Sequence, residues 1–121
     1  MKIRAAIVII KDWRERAFLR AQLIEEGIRT LAVETMDDAK EWLGDPQISP
    51  LIIVYDTQSQ DDISRDIEYL REYSHAPVLI LTGSSEKKTH EIENLGFKNI
   101  IPRPATIGDI SDKIKEILKG A

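Results

Sequence analysis

The sequence predicts an α/β protein: a doubly wound, five-stranded parallel sheet of order 2-1-3-4-5, sandwiched between two helix layers. Two observations lead there. Five short apolar runs alternate strictly with five segments of helical spacing, and such alternation demands right-handed crossovers with helices on both faces of a parallel sheet. Three of the runs, AIVII, LIIVY and VLIL, are continuous rather than alternating. Continuous runs rich in β-branched residues mark strands covered on both sides.

The first strand is expected over Ile3–Ile10 and the first helix from Trp13 to Glu26. Phe18, Leu19, Ala21, Leu23 and Ile24 are its predicted inward residues, and Gly27 is its stop. The second strand covers Thr30–Glu34. The second helix covers Met36–Leu43, capped by Thr35 and ended by Gly44. Leu51–Tyr55 forms the third strand. The third helix spans Asp62–Tyr73, with Ile63, Ile67 and Leu70 inward. The acid-rich stretch from Asp61 to Asp66 reads as a solvated helix start. Val78–Leu81 is the fourth strand. The polar fourth helix, Glu86–Leu95, offers only Ile92 and Leu95 to a core, so it is expected to be weakly anchored. Asn99–Ile101 is the fifth strand. Thr106 and Asp109 then make a capping-box signature before the stripe Ile107, Ile110, Ile114, Ile117 and Leu118. Five β-α units in this length match the flavodoxin-like version of the doubly wound fold. All 121 residues are expected to form one domain, with no room for an output domain.

Composition removes several function classes. Apolar residues are 42% and charged residues 31% of the chain, an ordinary globular balance. Net charge is -4, which disfavours a general nucleic-acid binder or a polybasic membrane anchor. The absence of cysteine excludes disulfides, thiolate metal sites and cysteine nucleophiles. The apolar run Ala5–Ile10 is too short for a signal peptide or a spanning helix, so a cytoplasmic protein is expected.

In open α/β sheets, ligands bind beyond the carboxyl ends of the strands, where strand order reverses. Here that point lies between strands one and three. Lys11 and Asp12 follow strand one, Asp56 follows strand three, Thr82 and Gly83 follow strand four, and Arg103 and Pro104 follow strand five. A carboxylate, a hydroxyl and a cation would therefore converge. This grouping suits phosphoryl transfer to a carboxylate, with Asp56 as nucleophile, Thr82 as hydrogen-bond donor and Arg103 as charge partner. A flavin or nucleotide cradle would need a Gly/Ser/Thr-rich loop after strand one, and KDWRER stands there. No nucleophile-base pair or cofactor motif is present, so no enzyme activity is expected.

LIIVYD ending at Asp56, VLILTG carrying Thr82, and LGFKNIIPRP carrying Arg103 and Pro104 follow at intervals of 26 and 21 positions. In this order and on these elements the chain resembles the receiver domains of two-component response regulators, over its whole length. The resemblance implies a stand-alone receiver, a phosphoprotein in phosphorelay signal transduction. Asp56 would be the phosphoacceptor and Thr82 the switch residue. Arg103 stands in the place of the family's lysine, and Ile100 in that of its switch aromatic. A sensor histidine kinase or another signalling protein would be the partner. Nucleic acid and membrane would not be, and a homodimer would form through the fourth helix, fifth strand and fifth helix.

The family's acidic pair after strand one holds Mg²⁺. Here Ile10 and Lys11 fall on the pair, and Asp12 lies one place beyond it. Asp12 is therefore readable as a metal ligand beside Asp56, or as the N-cap of the first helix with Glu15 completing a capping box. A second expectation follows from the same departure. Lys11 would pair with Asp56 and replace the charge of Mg²⁺, gaining up to about 4 kcal/mol before desolvation. The protein would then be a pseudo-receiver interaction module, independent of phosphorylation. Trp13 would roof the notch or lie on the first helix, Trp42 would sit at the end of the second, and His75 and His90 would be solvated.

Overall fold

The structure, a computed structural model, describes residues 2–120 of the chain. Continuous apolar runs form the sheet because β-branched side chains fit a pleated surface that is buried on both faces. Strands β1 (Ile3–Ile9), β2 (Thr30–Val33), β3 (Ile48–Asp56), β4 (Val78–Thr82) and β5 (Asn99–Pro102) lie in the order β2-β1-β3-β4-β5. All pairings are parallel, and a register irregularity between Ala5 and Ala6 marks the β1–β3 ladder. Helices α1 (Trp13–Glu25), α2 (Met36–Leu43), α3 (Ile63–Glu72), α4 (Glu86–Asn94) and α5 (Ile107–Gly120) supply the crossovers.

Each strand feeds two cores, since successive side chains point to opposite faces. Ala6, Val8 and Ile10 meet Leu19 and Leu23 of α1 and Ile110 and Ile114 of α5. Ile7 and Ile9 meet Met36 of α2, Ile67 and Leu70 of α3, and Ile92 of α4. Every residue from Ala5 to Ile10 is fully buried, which is why this run tolerates no polar residue. At about 25 cal/mol per Å² of apolar area, the isoleucines and Val8 of this run contribute about 1.5–3 kcal/mol each.

The helix ends follow local chemistry. Asp12 Oδ1 accepts from the Arg14 and Glu15 amides at 2.9 and 3.0 Å. Thr35 Oγ1 accepts from the Asp38 amide. Thr106 and Asp109 cap each other reciprocally, both bonds being 3.0 Å. Gly27 takes φ +83°, which a side chain would strain, and so ends α1.

The inward stripe of α1 is narrower than expected. Only Leu19 and Leu23 are buried; Phe18 is 64% exposed, Ile24 is 45% exposed, and Ala21 also faces outward. The helix meets the sheet on the arc between Leu19 and Leu23, and Phe18 and Ile24 turn away from it at 100° per residue. The acid-rich start of α3 is likewise only partly solvated. Asp66 is buried and accepts a 2.6 Å bond from the Tyr55 hydroxyl. Burial first, and then Asp66, push the Tyr55 phenol far above its ordinary pKa. In α4, Ile92 is the buried residue and Leu95 lies beyond the helix, exposed. Among the described residues, no helix is long and apolar enough to cross a membrane.

Candidate functional site: a carboxylate notch closed by an arginine

Asp56 is the last residue of β3 and is 1% exposed. Its Oδ1 accepts from the Gln58 amide at 3.2 Å, which turns the chain out of the strand. Its Oδ2 accepts from Arg103 Nη2 at 3.1 Å. Arg103 reaches this position because its own amide donates to the Thr82 carbonyl at 3.0 Å, extending the β4–β5 ladder by one rung.

The guanidinium has a second carboxylate. Arg103 Nη1 donates to Glu15 Oε2 at 2.8 Å, and Nη2 donates to Glu15 Oε1. Glu15 lies in the first turn of α1, so the fork ties α1 to the ends of β3 and β5. Glu15 first, and then the Asp56 charge, hold Arg103 firmly in its charged form. Burial pushes the Asp56 carboxyl above its ordinary value, although the Gln58 amide and Arg103 both pull it down. Desolvation thus outweighs the attraction, the usual balance for a buried ion pair.

Thr82 is buried at the end of β4. Its Oγ1 lies 3.0 Å from Thr89 Oγ1 on α4, and Thr89 in turn donates to the Ser85 carbonyl at 3.1 Å. The Thr82 hydroxyl proton is therefore directed at α4. Asp56 and Arg103 are in contact as expected, while Thr82 occupies the expected strand end with its hydroxyl bonded to Thr89.

Lys11 does not make the expected pair with Asp56. Its Nζ lies 3.9 Å from Glu34 Oε2, and Arg16 shares that carboxylate at 3.7 Å. Arg16 Nη1 also donates to the Ile10 and Lys11 carbonyls, at 2.9 and 3.2 Å. The segment after β1 is thereby held against the end of β2, whose acid compensates Lys11. The cation on Asp56 is Arg103.

Asp12 does not join Asp56 in a metal-binding set. Its carboxylate is engaged as the N-cap of α1, and the amides of Glu15 and Arg14 hold it below the usual carboxylate range. Among the described residues, no cluster of three or more His, Cys, Asp or Glu could hold a metal ion. The fit to Mg²⁺ also fails on charge: the two carboxylates that converge, Asp56 and Glu15, already clamp a guanidinium. These residues do not suit a resident divalent cation.

Glu15 is the site residue that sequence reasoning missed. Its spacing from Asp12 reads as the second half of a capping box, a purely local role. The available signal is that position 103 is an arginine, whose planar fork presents donors enough for two carboxylates. Trp13 lies on α1, as its first residue. It is 65% exposed, with the Arg14 guanidinium 5.4 Å above its ring.

No protein-family model matches the chain, and no curated protein matches it by sequence. Solved structures match over nearly its whole length. A response regulator receiver protein from Burkholderia phymatum superposes with a TM-score of 0.80 at 16% identity, over 97% of this chain and 96% of that one. The receiver domain of the Francisella response regulator 1452 gives 0.76 at 20% identity, over 97% of each chain. The signal receiver domain of a signal transduction histidine kinase from Syntrophus aciditrophicus gives 0.78 at 20% identity, over 97% of this chain and 91% of that one. With its five parallel strands in the order 2-1-3-4-5 and its five helices, the chain has the flavodoxin-like fold of response-regulator receiver domains.

Proposed function

We propose that the chain is a signalling module of the receiver type that works through protein contacts, with the Asp56 notch held shut by Arg103 and Glu15. The observation that carries this reading is the placement of one guanidinium on both carboxylates, at 3.1 Å from Asp56 and 2.8 Å from Glu15. A phosphoryl group arriving at Asp56 would have to displace that fork, and no acidic pair stands ready to bring the divalent cation that such a transfer needs. In this reading the module is not an enzyme. It acts in the cytoplasm on a histidine kinase or another signalling protein, and uses the surface that the receiver fold presents rather than a transferred phosphate.

A second reading has one observation in its favour. Asp56 ends β3 beside the β4 end that carries Thr82, and Arg103 touches its carboxylate. That is the arrangement a stand-alone phosphoacceptor in a phosphorelay would use, if Arg103 turned from the carboxylate to the phosphoryl oxygens.

Titration with beryllofluoride, followed by ¹⁹F NMR with and without Mg²⁺, separates the two. The closed notch gives no Mg²⁺-dependent bound signal. Saturable, Mg²⁺-dependent binding that disappears in Asp56→Asn would establish the phosphoacceptor reading instead.

A further inference from the structure

Helix α1 is apolar on two sides, and only one is used by the fold. Leu19 and Leu23 enter the core. On the opposite arc, Trp13, Ala17, Ala21 and Ile24 recur at helical spacing, with Phe18 at their flank, and all five are exposed. Trp13 and Phe18 are 65% and 64% exposed. Aromatic side chains offer roughly 150–250 Å² each, so this face leaves a substantial apolar area in water, where monomers rarely place one.

The charges bordering the strip identify an occupant. Exposed Arg14 lies in the first turn of α1, and exposed Glu25 lies at its end, on the same flank of the strip. Glu15 of the first turn is taken up by Arg103, so the exposed charges flanking the strip are a cation at one end and an acid at the other, a pair that complements its own reverse. From this pattern we propose that the outward face of α1 pairs with the same face of a second copy, antiparallel about a two-fold axis.

The axis passes between Ala17 and Ala21. Ala17 of one copy then faces Ala21 of the other, and these small side chains let the helices approach. Trp13 covers Ile24 across the dyad, and Arg14 meets Glu25. Twofold contacts of this kind are self-complementary, so each pairing occurs twice. Arg14 is already held over the Trp13 ring at 5.4 Å, which orders it beside the contact. A helix of 13 residues is about 20 Å long, so the contact falls at the small end of stable interfaces and gives a reversible dimer in the micromolar range or weaker. The inference stands whether or not Asp56 accepts phosphate.

Sedimentation velocity of the full chain, from low to several hundred micromolar, tests it. A monomer–dimer equilibrium is expected. Ala17→Glu weakens it more than tenfold while the far-ultraviolet circular dichroism spectrum stays unchanged. Arg14→Glu weakens it as well, and adding Glu25→Arg to Arg14→Glu restores it, because the swapped charges meet again across the dyad. A chain that is monomeric at every concentration overturns the proposal and leaves this face to a different protein. A dimer indifferent to Ala17→Glu overturns it too, by placing self-association on another surface.

Discussion

Arg103 Nη2 lies 3.1 Å from Asp56 Oδ2, and the same guanidinium is shared with Glu15 of α1. The end of β3, the end of β5 and the first turns of α1 are therefore fastened by one side chain. Asp56 is 1% exposed and the Arg103 side chain 13% exposed, so the contact sits largely outside the reach of solvent screening.

Removing the cation should destabilise the chain, whereas neutralising the acid should not. Arg103→Ala leaves Glu15 and buried Asp56 facing each other without compensation, and should destabilise the chain by about 3 kcal/mol in urea unfolding. Adding Asp56→Asn to Arg103→Ala should recover a large part of that loss. Equal and additive losses in the two single variants would show that the groups do not interact.

The pH dependence follows from the direction of the Asp56 shift. Burial raises its folded-state pKa above the unfolded value of 3.8, so the native state holds this proton more tightly. Between the unfolded and the raised folded value, the stability contributed by this group falls as pH rises, and above that window the cost persists. Asp56→Asn should then match the parent chain in stability at pH below 3.8 and exceed it at neutral pH. Guanidinium unfolding of both chains across pH reads the difference, and a parent chain more stable than Asp56→Asn at neutral pH would oppose it.

Tyr55→Phe removes the partner of a buried carboxylate. Asp66 is 2% exposed, its Oδ2 accepts from the Tyr55 hydroxyl at 2.6 Å, and its Oδ1 makes no hydrogen bond, with the half-exposed Arg65 guanidinium 3.7 Å away. The loss should be about 1.5–3 kcal/mol, in the range for hydrogen bonds to charged groups. Thermal unfolding of Tyr55→Phe should show it. Adding Asp66→Asn, which removes the charge, should restore part of the midpoint.

Thr89→Val cuts the bond between Thr82 and α4. Because Ile92 is the buried residue of α4, hydrogen exchange in this helix should accelerate several-fold while β1 and β3 keep their protection. Unchanged exchange in α4 would mean that the two threonines do not anchor it.

Much of this architecture is legible in the sequence, because the strands are unbroken apolar runs and the helix caps are local. Asp12, Thr35 and the Thr106–Asp109 box act through residues two or three positions away, so their roles follow from spacing alone. The notch is legible in position and not in wiring. Asp56, Thr82 and Arg103 stand at the expected strand ends, yet which cation reaches Asp56 depends on competition between distant groups. Lys11 is answered by Glu34, and Arg103 gains Glu15 from 88 residues away. Helix α1 misleads for a different reason: apolar residues surround it, and periodicity alone cannot tell a face that meets the sheet from one that meets water.

The most direct test of the closed notch is incubation of the chain with acetyl phosphate and saturating Mg²⁺, followed by intact-mass measurement. With Arg103 and Glu15 in place, the mass should stay that of the unmodified chain. A single added phosphoryl group that is absent in Asp56→Asn would contradict the account and make Asp56 a working phosphoacceptor.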